Sequence, residues 1–162
     1  MFIQDFKNRP ELLEKRGKRS RILIYEPEET IRESLCEALQ EEHEVVTVQP
    51  LTKDFRHPWD FSVFDILIID LKEDERINEL LHRICSYSYT EKLWIIVTSV
   101  KDENRLRLRE LKYDRLFFVP KPYDLDIIEK TINQIIQWEG EKRQISKKLG
   151  KRLARFFYGL EE

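Results

Sequence analysis

The run Phe64-Asp65-Ile66-Leu67-Ile68-Ile69-Asp70 holds four consecutive aliphatic residues between two aspartates. Successive side chains of a strand point to opposite faces, so a strand built from this run is apolar on both sides. Such a strand needs cover above and below, which is the situation at the centre of a parallel sheet flanked by helices. Four further runs read the same way: Arg21-Ile22-Leu23-Ile24-Tyr25, Val45-Val46-Thr47-Val48, Leu93 to Thr98, and Leu116 to Val119. Between them the apolar residues recur at helical spacing instead. Ile31, Leu35, Ala38 and Leu39 predict a helix over Glu28 to about Glu41, with acids in its first turn. Ile77, Leu80, Leu81 and Ile84 predict a second. Ile127, Ile128, Ile132, Ile135 and Ile136 predict the inner face of a last helix starting near Asp124. Asp102 to Lys112 reads as a short arginine-rich helix. Residues 49–62 contain Pro50, Pro58 and Trp59 and no clean period, so they hold a short or irregular helix at best.

Five strands alternating with helices predict an α/β fold, a doubly wound five-stranded parallel sheet. Right-handed crossovers would place helices on both of its faces. A length of 162 residues suits one domain with flanking segments. Net charge is −2, but it is unevenly spread. Residues 1–20 carry six basic and three acidic side chains, and residues 139–162 carry seven and four, which leaves the middle at about −8. The predicted organisation is therefore a basic extension (1–20), an α/β domain (21–138) and a basic amphipathic helix (139–162).

Cys36 and Cys85 fall among apolar residues and read as buried free thiols. They form no CxxC or Cys/His cluster, which fits a reducing cytoplasm. No apolar stretch resembles a signal peptide or reaches the roughly 20 residues needed to span a bilayer. His43, His57 and His82 lack metal-ligand spacing, and no Gly-rich phosphate loop, nucleophile elbow or HExxH motif is present, so the chain is not expected to be an enzyme.

Three of the apolar runs end in groups that carry chemistry. Asp70 ends one, Thr98-Ser99 another and Lys121-Pro122 the last. In a parallel sheet these ends share one edge, where open α/β sheets bind ligands. A carboxylate, a hydroxyl and an ammonium converging there suggest a site for an anionic group.

With these residues in order, positions 21 to about 138 resemble the receiver domain of two-component response regulators. The opening strand Arg21–Tyr25, the Asp70 strand end, Thr98-Ser99-Val100 and Phe118-Val119-Pro120-Lys121-Pro122-Tyr123 carry the likeness. The resemblance implies a flavodoxin-like strand order 2-1-3-4-5 and a cytoplasmic signalling role. It implies Asp70 as phosphoacceptor, Ser99 as the hydroxyl residue (favoured over Thr98), Lys121 as the phosphoryl-binding lysine and Phe118 as the switch aromatic. It also implies a cis bond before Pro122. Mg²⁺ would be held by Glu26, Asp70 and the backbone carbonyl of Lys72.

Against the family's pattern, Pro27 stands where the second acid of the metal loop belongs. Glu28 follows, in a position suited to helix capping. The loop after Asp70 reads Lys72-Glu73-Asp74-Glu75, and Val100 is bulkier than the usual small residue, narrowing the pocket. The reading that follows is a receiver-like module acting through protein contacts, with weak or no Mg²⁺-dependent phosphorylation at Asp70. The alternatives are a working phosphorelay receiver fed by a histidine kinase, and an adaptor whose basic tail binds membrane or nucleic acid.

The tail itself repeats Ile145, Leu149, Leu153 and Phe156 at helical spacing, with Lys147, Lys151 and Arg155 opposite. It reads as a packing surface, including for a homodimer, with Gly140 and Gly150 as bends or weak points. Arg105, Arg107, Arg109 and Lys112 read as a solvated basic face.

Overall fold

The computed structural model describes residues 19–48, 58–71, 75–86, 92–102 and 107–158. Its elements are β1 (Arg21–Tyr25), α1 (Glu29–Leu39), β2 (Glu44–Thr47), a 3₁₀ turn (Pro58–Val63), β3 (Ile66–Asp70), α2 (Glu75–Ser86), β4 (Trp94–Ser99), a second 3₁₀ turn (Leu108–Leu111), β5 (Leu116–Pro120) and α3 (Leu125–Tyr158). The five strands form one parallel sheet in the order β2-β1-β3-β4-β5.

The aliphatic run that predicted a doubly covered strand is the centre of this sheet. β1, β3 and β4 are buried at every position. Leu23, Leu67, Ile69, Ile95 and Val97 pack on one side with Phe61, Phe64 and the α2 residues Ile77, Leu80, Leu81 and Ile84. Their neighbours in sequence, Ile22, Ile24, Ile66, Ile68 and Ile96, are at most 1% exposed on the other side. The order reverses between β1→β2 and β3→β4, so right-handed crossovers put α1 and α2 on opposite faces. Each fully buried aliphatic contributes about 1.5–3 kcal/mol of transfer free energy, which makes the two faces of these three strands the main stabilising surface.

Polar groups fix the edge opposite the site. Arg21, 1% exposed, donates from Nε to Glu44 Oε2 at 2.9 Å, and its backbone N–H donates to Asp65 Oδ2 at 2.8 Å. Those bonds tie β1 to β2 and to the start of β3 where the strands enter the sheet.

Three expectations are corrected. The arginine-rich helix over 102–112 is, among the described residues, only the 3₁₀ turn Leu108–Leu111. Arg107 (φ 53°) and Lys112 (φ 49°) bracket it in the left-handed region, which ends a helix on either side. Arg105 and residues 49–57 lie outside the described residues. Glu28 stands at the α1 N-cap but makes no side-chain cap there. Of the isoleucines expected on the buried face of α3, Ile128, Ile132 and Ile135 are buried, whereas Ile127 is 45% exposed.

Compact structure divides after Leu125 into two units. The second is essentially α3, one 34-residue helix that runs through Gly140 and Gly150. Cys36 and Cys85 are free and half-buried. Burial pushes the Cys85 thiol up to about 12 and also raises Cys36.

Candidate functional site

Where β1, β3, β4 and β5 end, the register brings polar residues level with one another. Asp70 pairs with Thr98 and Ser99 with Pro120 across the parallel ladders. Two backbone bonds extend the ladders past the strand ends: Leu71 N–H donates to the Thr98 carbonyl at 2.9 Å, and Lys121 N–H to the Ser99 carbonyl at 2.8 Å. The second of these fixes where the Lys121 side chain departs. The bond between Lys121 and Pro122 is cis.

Lys121 reaches across the edge into a buried acidic pair. Its Nζ lies 2.7 Å from Glu26 Oε2 and 3.2 Å from Asp70 Oδ1. Glu26 is 1% exposed and Asp70 2%. Burial opposes the ammonium charge, but the hydrogen bond from Lys121 to Glu26 and the charges of Asp70 and Glu26 outweigh it and raise the lysine above its ordinary pKa. Lys121 is therefore a fixed cation between two carboxylates 44 positions apart in the chain.

The loop after β1 is shaped around the same carboxylate. Glu26 Oε1 accepts the Glu28 backbone N–H at 2.9 Å. Glu26 thus satisfies the backbone N–H of the α1 N-cap residue itself. Arg32 donates from one guanidinium nitrogen to the carbonyls of Glu26 (2.9 Å) and Pro27 (3.4 Å), tying the loop down onto α1. The Pro27 ring supplies no oxygen to the pocket.

The two candidate hydroxyls have different partners. Thr98 Oγ1 donates to Asp70 Oδ1 at 3.4 Å. Ser99 Oγ instead donates to the Leu71 carbonyl (2.9 Å) and accepts the Lys101 N–H (3.1 Å). Adjacent strand residues face opposite sides, and Thr98 is the one level with Asp70 in the register. Phe118 is half-buried against the core cluster one element away. Val100 is 81% exposed. The Lys72 carbonyl lies outside the described residues.

Tyr123 was not singled out by sequence reasoning. Its hydroxyl is buried and has no hydrogen-bond partner among the described residues. Burial first, then the charges of Glu26 and Asp70, push its pKa well up, which keeps it a proton donor beside the acidic pair. Only its place two residues after Lys121 could have marked it.

These residues fit a resident Mg²⁺ poorly. The ion takes near-octahedral oxygen coordination, usually from one or two carboxylates plus water and phosphate. Here both carboxylates face Lys121, and Glu26 has its second oxygen on a backbone N–H. No cluster of three or more His, Cys, Asp or Glu side chains suited to a metal exists among the described residues. Lys121 already supplies positive charge to Glu26 Oε2 and Asp70 Oδ1, while Asp70 Oδ2 makes no hydrogen bond among the described residues. Among the described residues, no helix is long and apolar enough to cross a membrane.

Neither a protein-family model nor a curated protein sequence matches the chain. Solved structures do. The signal receiver domain of a protein described as a LuxO repressor from Vibrio parahaemolyticus aligns with a TM-score of 0.60 at 13% identity, over 78% of this chain and 97% of that one. An orphan response regulator of H. pylori aligns at 0.59 and 16% identity, over 75% and 99%. A response regulator from Thermotoga maritima aligns at 0.57 and 17%, over 74% and 98%. Sheet order and these alignments agree: the chain has the fold of response-regulator receiver domains.

Proposed function

We propose that the chain is a receiver-like signalling module that acts through protein contacts, not as an enzyme, with its Asp70 pocket held by Lys121 in a state that takes a phosphoryl group weakly or not at all. The observation that carries this is the buried Lys121 ammonium bonded to Glu26 and Asp70 together. Phosphoryl transfer to Asp70 forms an acyl phosphate and brings roughly −1.5 to −2 charge into the pocket, by analogy with phosphoserine. Lys121 can turn to that charge only by leaving Glu26, and Glu26 is then a buried carboxylate facing a new anion. A second acid at position 27 would offer a metal a place to relieve that conflict; Pro27 does not.

The partners in this reading are a histidine kinase or another signalling protein, met in the cytoplasm by the 21–138 domain, with residues 1–20 and 139–162 as basic flanks. A working phospho-switch is the second reading, favoured by one observation: Thr98, Asp70 and Lys121 do converge. Intact-mass analysis after incubation with acetyl phosphate and millimolar Mg²⁺ separates the two. Little or no base-labile adduct is expected. Conversion of most of the protein, abolished by Asp70→Asn, would establish the switch instead.

A further inference from the structure

Six large hydrophobic side chains are exposed among the described residues, and five of them, Ile127, Trp138, Ile145, Leu149 and Leu153, lie on α3. At about 100° per residue all five fall within an arc of roughly 80°. The stripe runs for about 39 Å, from Ile127 to Leu153, at 1.5 Å per residue. It borders the buried residues of the same helix, Ile128, Ile132 and Ile135, with Ile135 and Leu153 on one azimuth. Exposed apolar side chains gathered along one side of a helix mark an interaction site.

Charge on α3 is separated along its length. Residues 125–141 carry four acidic side chains and one basic, whereas 142–158 carry seven basic and no acidic ones. A parallel pair of such helices would set the basic halves side by side. An antiparallel pair sets each basic half against an acidic half, with the apolar stripes facing. Flanking charges select partner and orientation in paired helices in this way. We propose that the stripe is the docking surface for a second copy of the same helix, and that two chains associate antiparallel through Trp138, Ile145, Leu149 and Leu153. The proposal is independent of Asp70 chemistry.

Sedimentation velocity of the full chain over a concentration series tests it, with circular dichroism to confirm retained helix. A reversible monomer–dimer equilibrium is expected. Ile145→Asp with Leu149→Asp should leave a folded monomer. Lys148→Glu with Arg152→Glu should weaken the dimer on the order of tenfold, and adding Glu139→Lys and Glu141→Lys to that variant should restore it. A parallel dimer behaves oppositely: the Lys148→Glu, Arg152→Glu variant would associate more tightly, and that result overturns the proposal. So does a chain that stays monomeric at every concentration, including one that binds vesicles of anionic phospholipid while monomeric. A stripe variant that dimerises like the parent overturns it as well.

Discussion

At the scale of single residues, Lys121 does the most. It neutralises two buried carboxylates, and removing it leaves Glu26 and Asp70 facing each other without a counter-charge. Lys121→Met should therefore lower stability by about 3 kcal/mol at neutral pH, read from urea unfolding, because an uncompensated buried charge is far costlier than a lost surface pair. The raised lysine pKa has a second consequence. Its contribution is fully present below the unfolded pKa near 10.5 and is lost as pH rises through the higher folded value. His43 acts in the opposite sense. It is 7% exposed, its Nδ1 has no hydrogen-bond partner among the described residues, and burial lowers its pKa from 6.5. The unfolded chain then binds more protons below about pH 6.5, so stability should fall as pH drops through that value. His43→Phe should flatten this part of the stability–pH curve, as chemical denaturation between neutral and mildly acidic pH would show. Residue roles were only half legible from sequence. Asp70 and Lys121 are named by the apolar runs they end, but that Thr98 Oγ1 bonds Asp70 while Ser99 bonds the Leu71 carbonyl follows from the strand register, which local sequence does not contain.

Elements were more legible. Strands buried on both faces announce themselves, because few other structures take an unbroken aliphatic run of that length. β3 and β4 begin and end within one residue of their predicted limits. The stretch expected to be helical over 102–112 departs from a helix at its described residues 107–112. Its arginines, lysines and leucines favour a helix by propensity, yet Arg107 and Lys112 take left-handed conformations, each costing roughly 1 kcal/mol, around a single 3₁₀ turn. The last helix was foreseen from its 3.6-residue period, and Ile128, Ile132 and Ile135 are buried as expected while Ile127 is exposed. Within that helix Gly140 and Gly150 are exposed, and a Cβ at either meets nothing within 4 Å. Gly150→Ala should thus stabilise the helix by about 1 kcal/mol, seen as slower amide exchange around residue 150 with the α/β unit unchanged.

For the molecule as a whole, the fold and the site part company in how much the sequence says. Binary patterning, crossover handedness and strand count are enough to reach a doubly wound sheet. The state of the pocket is not, because it depends on where Lys121 Nζ ends up between carboxylates that only the folded sheet brings together. That placement is the central claim: the lysine already neutralises the carboxylates of Glu26 and Asp70 that an ion would need. A Mg²⁺ titration followed by thermal unfolding tests it most directly, using the parent chain and Lys121→Ala. Since a ligand that binds only the folded state raises its melting temperature, about 10 mM Mg²⁺ should leave the parent unmoved and stabilise the variant, whose carboxylates are free to take the ion. A marked rise for the parent, equal to or larger than that for Lys121→Ala, would contradict the account.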